Sequence, residues 1–492
     1  MRAEALRAPG REVLTADAAA VLLFALLSAL YFVQAATIAA HAPFWMDEIL
    51  TLWTARLPDV AAIWSALVHG AEFTPPLYDL LIHGLQRIGI TDTLGLRLPS
   101  IVAIYVAALA TGAIARRHSG TAAGALAAGV VLSSGLFGYA MQMRPYALVT
   151  AAFACALALY DRDGRPSSRR LAGIALLLAI AVGLHFYALL LAVGLAALEL
   201  VRARAERRPL CRRTLAAIAA GASTILLWLP ILIAARAYSG GDVWAPGYYA
   251  QPTLLALVRS YAVLLGWLIV PLVGLLVVTL RREAGAMRIT ALAVTAFPLI
   301  VFAFALLVSH SYADRYVVAG GIGVALLFAS LARQVDARAP VLLLALLVAA
   351  APWRSAGEIG KADRIEALAT ADAAPGPLPI ATGSGLRFFE IGENGRAAGR
   401  LVFLTVPTPS SDPTNRNQVL RWKAIRPGLN VQGAQAFLCA TPAFYLFAQP
   451  PDGGADELPG WLAGRADFTP PPAGHASLTL VRSRPCAIGP AR

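Results

Sequence analysis

The chain has 492 residues, of which 58% are hydrophobic and 14% are charged, and its formal net charge is +13. Soluble domains are about 45–50% apolar and about 25% charged, so the composition excludes an ordinary soluble protein and indicates an integral membrane protein. Lysine occurs only at Lys361 and Lys423, so arginine carries almost all of the positive charge. These arginines lie in short loops between apolar runs, a pattern that sets membrane orientation, and nucleic acid is therefore not an expected partner.

Apolar runs predict about eleven membrane-spanning helices. They are residues 18–40, 99–115, 121–138, 145–160, 171–184, 186–201, 214–235, 254–280, 289–309, 315–332 and 339–352. Arginine-rich and arginine-poor loops alternate between them, and the positive-inside rule places the arginine-rich set in the cytoplasm. We therefore expect a multi-pass protein of the inner (plasma) membrane with a cytoplasmic N-terminus. The first run is interpreted as an uncleaved anchor, although "AHA" at residues 40–42 resembles a signal-peptide cleavage site.

The first external loop, residues 41–98, carries an acidic pair in apolar company. Asp47 and Glu48 stand within "HAPFWMDEILTLW", residues 41–53. Apolar residues at intervals of three and four predict two amphipathic helices further along this loop, at residues 57–70 and 74–89. Two such helices beside an acidic pair are typical of an enzyme site at a membrane surface. Packing of both helices against the bundle explains the helices but leaves the carboxylates unexplained.

The chain after the last run changes character and predicts a small extracytoplasmic α/β or α+β domain at residues 353–492. A helix is expected at residues 355–372, and strands at residues 377–383, 400–406, 436–440, 443–449 and 477–483. The Gly-x-Gly in "TGSGLRF", residues 382–388, lacks the full dinucleotide pattern and is interpreted as a turn. Cys439 and Cys486 both fall outside the cytoplasm, where a disulfide is chemically allowed but not established by sequence.

Unusual polar residues gather at the predicted external ends of the spans. They are Asp47, Glu48, His69, Glu72, Tyr78, Asp79, His83, Arg97, Tyr139, Gln142, Arg144, Tyr146, His185, Tyr187, His310, Tyr312, Asp314, Arg315 and Tyr316. A transporter usually places polar ligands near the middle of the bilayer, where this chain has none. An external active site that faces a lipid-borne substrate fits this distribution better.

Five short motifs in this set carry a resemblance to a known family. They are "FWMDE" at 44–48, "TPPLYDLL" at 74–81, "RLPS" at 97–100, "QMRPYAL" at 142–148 and "YADRYVV" at 312–318. Over residues 18–352 the chain resembles the GT-C glycosyltransferases, in particular the protein O-mannosyltransferase and lipid A aminoarabinose transferase group. The chain departs from its relatives at Thr74, where a histidine commonly precedes the two prolines. The resemblance implies a transmembrane catalytic domain at residues 1–352, followed by the extracytoplasmic domain.

The resemblance also implies a reaction of the EC 2.4 class. A sugar would pass from a polyprenyl-phosphate donor to a hydroxyl acceptor outside the cytoplasm, with inversion at the anomeric carbon. The family's catalytic aspartate maps onto Asp47, and a carboxylate suits the removal of the acceptor's proton. Glu48 is assigned a supporting catalytic role. The leaving phosphate requires cations, for which Arg144 and Arg315 are the leading candidates and His185 a weaker one.

Further donor-binding candidates are Tyr146, Tyr312, Tyr78 and Gln142, although tyrosines at a membrane surface are also common as interfacial anchors. Some GT-C enzymes use Mg²⁺ or Mn²⁺, but the carboxylates here lack metal-site spacing, and no metal residue is assigned. Expected partners are the lipid-linked donor, membrane lipids and an acceptor that is a cell-envelope glycan, a lipid or a protein. Two alternatives stay open: a flippase or transporter for lipid-linked glycans, and a non-catalytic anchor for the C-terminal domain.

Overall fold

The computed structural model describes residues 9–162, 164–244, 248–279, 286–359, 363–407, 413–448, 457–469 and 478–484. The chain divides into two compact units. The first, here called the helical unit, comprises Met1–His41, Thr74–Leu229 and Ala250–Gly360. The second, here called the α/β unit, comprises Ala42–Phe73, Pro230–Tyr249 and Lys361–Arg492. The segment that carries the acidic pair thus belongs to the same unit as the C-terminal residues.

The helical unit is built from α-helices, and each of the predicted apolar runs overlaps at least one helix. The α-helices are Pro9–His41, Leu77–Arg87, Thr93–Ser119, Thr121–Ser133, Leu136–Ala140, Tyr146–Tyr160, Ser168–Leu184, Ala188–Ala205, Arg212–Ala222, Leu254–Leu265, Ile269–Thr279, Ala286–Thr295, Phe297–Phe304, Gly320–Val335 and Ala339–Ile359. Short 3₁₀ or π turns occur at Ser223–Trp228, Gly266–Leu268, Ala305–Ser309 and Asp314–Tyr316.

Within the described ranges, five helical segments are long and apolar enough to cross a membrane. They are Thr15–His41, Thr93–Ser119, Arg212–Ser239, Leu254–Thr279 and Met287–Ser309. Shorter apolar helices accompany them at Thr121–Ser133, Tyr146–Tyr160, Gly320–Val335 and Ala339–Arg354. Since a bilayer core requires about 20 apolar residues in a helix, these segments support an integral membrane protein.

Small residues allow the helices Thr93–Ser119 and Thr121–Ser133 to approach closely. They are joined at Gly120, whose φ of 88° suits glycine. A side chain at Gly112 would meet the backbone oxygen of Gly124 at 2.8 Å, so only glycine fits at this crossing. The amino end of the first helix is capped by Asp92, which accepts a hydrogen bond from the Gly95 amide at 2.8 Å.

Ion pairs join the arginine-rich segments at one end of the helical unit. Asp161, buried between them, accepts from His118 at 2.7 Å and from Arg202 at 3.0 Å. Glu199 accepts from Arg208 at 2.7 Å and from the Tyr160 hydroxyl at 2.8 Å. Three of the arginine-rich segments therefore lie together.

The α/β unit has a six-stranded sheet with helices around it. The strands are β1 (Ile380–Thr382), β2 (Leu401–Thr405), β3 (Val431–Gly433), β4 (Ala443–Phe447), β5 (Ala466–Thr469) and β6 (Leu478–Ser483). Their order is β3-β2-β1-β4-β6-β5. The first four run parallel, with Ile380 opposite both Leu401 and Tyr445, whereas β6 is antiparallel to β4 and β5. The α-helices are Met46–Ala55, Val60–Val68, Leu229–Ser239, Asp363–Asp372, Gly385–Asn394, Pro413–Ile425, Ala434–Ala440 and Glu457–Leu462, with 3₁₀ turns at Asp242–Trp244 and Arg396–Arg400.

Four of the five predicted strands are confirmed as β1, β2, β4 and β6. The strand predicted at residues 436–440 is wrong. Residues 436–440 lie in the helix Ala434–Ala440. Ala434, Phe437 and Leu438 pack into the core under the sheet, and this spacing of three and four is helical rather than alternating. The short strands β3 and β5 were not predicted.

The remaining C-terminal predictions have mixed outcomes. The single helix expected at 355–372 is described as the end of Ala339–Ile359 and a separate helix Asp363–Asp372, and residues 360–362 lie outside the described ranges. The Gly-x-Gly segment joins β1 to the helix Gly385–Asn394, which Ser384 caps. Cys439 is disulfide-bonded, whereas Cys486 lies outside the described ranges. Cys155 and Cys211 are free thiols.

Candidate functional site

The acidic pair lies in the first turn of Met46–Ala55, here called the acid-bearing helix. Negative charge is favourable at this position because the helix dipole is positive at its amino end. Glu48 is buried, and its Oε2 accepts a hydrogen bond from the Trp45 amide at 3.1 Å. This contact caps the helix. Asp47 is half-buried and is the more accessible of the two carboxylates. The structure thus gives the two acids different surroundings.

A further carboxylate, that of Glu72, contacts the acid-bearing helix one turn beyond the acidic pair. The Thr51 hydroxyl donates to both oxygens of Glu72, at 3.2 and 3.1 Å, and both side chains are buried. Residues four apart on a helix share a face, so Thr51 lies on the same face as Asp47. Glu72 therefore packs against the face that carries Asp47.

In the helical unit, predicted donor-binding residues line a cavity, here called the His185 cavity. It is lined by Tyr146, Val149, Thr150, His185, Tyr187, Ala188, Leu191, Arg315, Tyr316, Val318 and Ala319. The rings of Tyr187 and Tyr316 stack at 4.1 Å between centroids, and His185 lies 5.6 Å from Tyr316. The Arg315 guanidinium lies over the Tyr316 ring at 5.5 Å. The cavity thus combines an aromatic wall with a cationic group.

Arg144 lies beside this cavity. Its guanidinium is 5.7 Å from the centroid of the Tyr146 ring, and that ring contacts His185 at 5.3 Å. Arg144 is buried, whereas Arg315 is half-buried. Two guanidinium groups therefore flank one histidine, an arrangement that favours an anion such as a phosphate.

The imidazole of His185 is held in its neutral form. Its Nδ1 accepts a hydrogen bond from the Tyr187 amide at 3.2 Å, so the proton of the neutral ring is on Nε2. Burial, together with the positive charges of Arg144 and Arg315, lowers the pKa of His185 to about 3. At neutral pH this residue offers a hydrogen-bond donor to an anion, but no positive charge.

Because His185 is neutral in the folded protein, we expect the free energy of unfolding to fall in mild acid. Its unfolded-state pKa is about 6.5, and its folded-state pKa is about 3. Between these values the unfolded chain binds the extra proton. The free energy of unfolding should therefore fall as the pH drops below about 6.5, by at most about 1.4 kcal/mol per pH unit from this group. Melting curves between about pH 7 and about pH 5 should show a smaller loss for His185→Gln than for the wild type. The exposed His41→Gln is the matched control, and equal slopes in all three proteins would contradict the assignment.

Three of the five sequence motifs are linked by hydrogen bonds in the helical unit. The buried Tyr78 hydroxyl lies 3.4 Å from the Ser100 hydroxyl, which in turn donates to the backbone oxygen of Arg144 at 3.4 Å. Gln142, half-buried, accepts from the Arg144 amide through its own backbone oxygen at 2.8 Å. Tyr78 and Gln142 thus support the backbone around Arg144, and neither lines the cavity.

The motif at residues 312–318 contributes Arg315 and Tyr316 to the cavity, but Tyr312 points elsewhere. The Tyr312 side chain is buried, its hydroxyl lies 2.7 Å from the Ser260 hydroxyl, and it packs edge-on against Phe302. Tyr187 and Tyr316, which the sequence did not single out as donor-binding candidates, both line the cavity. Their position next to His185 and Arg315 in the sequence is the signal that could have identified them.

Among the residues that the structure describes, no group of three or more His, Cys, Asp and Glu side chains is placed to hold a metal ion.

The fold of this chain is similar to that of solved proteins, although its sequence is not similar to known families. No protein-family model matches the chain, and no curated protein is similar to it in sequence. The structure is similar to the crystal structure of ArnT from Cupriavidus metallidurans in the apo state, with 12% sequence identity and a TM-score of 0.57. That likeness covers 94% of this chain and 97% of the ArnT chain.

Two further solved structures are similar at a lower TM-score. ArnT from Cupriavidus metallidurans bound to undecaprenyl phosphate gives 0.43 at 13% identity, over 94% of this chain and 97% of the other. The Archaeoglobus fulgidus oligosaccharyltransferase in complex with Zn and sulfate gives 0.43 at 11% identity, over 85% of this chain and 67% of the other.

The likeness to apo ArnT extends over almost the whole of both chains. It confirms the predicted fold class, a polytopic helical membrane protein with a small C-terminal sheet domain. The chain therefore has the fold of ArnT, which is the GT-C fold that the motifs predicted.

Proposed function

We propose that the protein is an inverting glycosyltransferase that uses a polyprenyl-phosphate-linked sugar and acts outside the cytoplasm. The observation that carries the proposal is the His185 cavity, where Arg315 and the adjacent Arg144 flank a neutral histidine in a chain with the fold of ArnT. A cavity with an aromatic wall and guanidinium groups suits a phosphate that carries an apolar chain. The acceptor is a hydroxyl of a cell-envelope glycan, a lipid or a protein.

The reaction is a single displacement at the anomeric carbon. The acceptor oxygen attacks that carbon, the bond from the carbon to the phosphate oxygen breaks, and polyprenyl phosphate leaves as an anion. Asp47 accepts the proton of the attacking hydroxyl, which increases the negative charge on the attacking oxygen. Attack from the face opposite the leaving group inverts the configuration.

The leaving phosphate is stabilised by Arg144 and Arg315, because guanidinium groups form charge-assisted hydrogen bonds with phosphate oxygens. His185 supplies an uncharged donor through Nε2. Tyr146 contributes its ring to the cavity wall, while Tyr78 and Gln142 hold the backbone around Arg144. Tyr312 packs within the helices, and Glu48 caps the acid-bearing helix and so supports Asp47.

The proposal is tested with the full chain reconstituted in liposomes. The donor is undecaprenyl phosphate bearing a single radiolabelled hexose, and the acceptors are a lipid-linked glycan, a hydroxyl-bearing membrane lipid and a serine-containing peptide. Acceptor-dependent transfer of label with release of undecaprenyl phosphate is the expected result. Movement of the labelled lipid between leaflets without transfer would instead identify a flippase and overturn the proposal.

A further inference from the structure

One helix of the C-terminal domain contacts the acid-bearing segment on both sides of Asp47. In Gly385–Asn394, the Asn394 side chain accepts from the Phe44 amide at 3.0 Å and donates to the Phe44 carbonyl at 2.8 Å. Phe44 lies two residues before the first residue of the acid-bearing helix, Met46. The neighbouring Glu393 accepts from Trp53 at 2.8 Å and pairs with Arg56 at 2.7 Å, at the other end of that helix. Two adjacent side chains thus hold both ends of the acid-bearing helix.

A second helix of the same domain holds the chain next to Glu72. In Pro413–Ile425, Gln418 donates to the backbone oxygen of Ala71 at 2.5 Å, and the buried Trp422 indole donates to the same oxygen at 3.2 Å. Glu72 follows immediately and accepts from Thr51 of the acid-bearing helix. The C-terminal domain therefore also contacts the segment that packs against the Asp47 face.

Buried aromatic side chains pack the acid-bearing helix against both of these C-terminal helices. The Trp53 ring meets Phe389 at 5.2 Å and Trp422 at 5.3 Å, both edge-on. The Arg426 guanidinium lies over the Trp53 ring, 4.9 Å from its centroid. Trp53, Phe389 and Trp422 are all buried, so the acid-bearing helix is locked against rotation about its axis.

We propose that the C-terminal domain contributes to catalysis by orienting the acid-bearing helix, and that Asn394 and Glu393 are positioning residues for Asp47. This inference rests on the proposed function, because it assigns these residues to the orientation of the proposed base. Phe44 lies three residues before Asp47, so the paired hydrogen bonds of Asn394 set where the helix begins and where the carboxylate points. A base must lie within hydrogen-bond reach of its proton, and an error of about 1 Å costs about 10²-fold in rate.

The test compares Asn394→Ala with Asn430→Ala in the full chain. Asn430 is a matched control because it bonds the backbone of the same domain, at the Leu401 oxygen, and makes no described contact with residues 42–73. We expect Asn394→Ala to lower kcat by about 10- to 100-fold while the KM for the lipid donor stays unchanged, because the base moves but the donor site does not. Asn430→Ala should keep the wild-type kcat.

Hydrogen exchange in the same proteins separates repositioning from unfolding. Asn394→Ala should speed exchange in residues 44–56 while strand β2 remains protected, which shows that the domain is still folded. A wild-type kcat in Asn394→Ala, or equal losses in both variants, would overturn the positioning role. The absence of any transfer by the wild type would overturn the proposed function instead, so the two failures are distinguishable.

Discussion

Asp47→Asn is expected to lower kcat for sugar transfer by about 10²- to 10⁴-fold, the range typical for removal of a general base. The amide is nearly the same size as the carboxylate but does not accept a proton. Residue 47 lies in the first turn of a helix, where Asn is tolerated, so the variant chain should still fold and insert. The measurement is initial-rate transfer with the labelled lipid donor, with equal amounts of wild-type and variant protein in liposomes.

Glu48→Gln is the matched control for this prediction. It removes the adjacent carboxylate, yet the glutamine carbonyl still accepts from the Trp45 amide and caps the helix. We expect a much smaller loss of kcat than for Asp47→Asn. Equal losses in the two variants, or full activity in Asp47→Asn, would show that Asp47 is not the base.

Arg315→Gln is expected to lower kcat/KM for the lipid donor by about 10- to 100-fold, because a charge-assisted hydrogen bond to phosphate contributes about 1.5–3 kcal/mol. Arg315 lines the His185 cavity, and His185 supplies no compensating charge there. Arg144→Gln should have an effect of the same kind, since its guanidinium lies next to Tyr146 of the same cavity.

The control is Arg116→Gln, which removes the same charge from an exposed position in one of the arginine-rich segments. It should keep the wild-type kcat/KM. If Arg315→Gln also keeps it, the phosphate does not bind at the His185 cavity. Arg315→Lys retains the charge but loses the planar, two-pronged donor geometry, so an intermediate value is expected.

Much of the fold was predictable because hydropathy is a local property of the chain. A membrane-spanning helix needs about 20 apolar residues whatever its neighbours are, so the spans could be identified from composition. Strands β1, β2, β4 and β6 were predicted because turn residues bound them closely. The strand predicted at residues 436–440 was wrong, since a five-residue apolar run does not distinguish a strand from a helix. The helix forms there because it places Phe437 and Leu438 together in the core.

The candidate site was predictable to a lesser degree. The motif arginines and His185 were identified, and the structure brings Arg315, His185 and Tyr146 to one cavity with Arg144 beside it. Tyr312 was placed in the same group because it lies in the same motif, but its hydroxyl contacts Ser260 within the helices. A one-dimensional motif does not specify the direction in which a loop residue points, and the stacking of Tyr187 on Tyr316 depends on two distant loops.

The sequence by itself determined that this is a polytopic membrane protein, that its polar motifs lie at the ends of spans, and that Asp47 stands out in apolar company. Only the tertiary structure decided that residues 42–73 belong with the C-terminal domain, that Glu48 caps a helix, and that His185 is neutral. The physical reason is the separation of the partners along the chain. Phe44 and Asn394 are 350 residues apart, and the charge of His185 depends on burial and on Arg144 and Arg315, none of which a local pattern records.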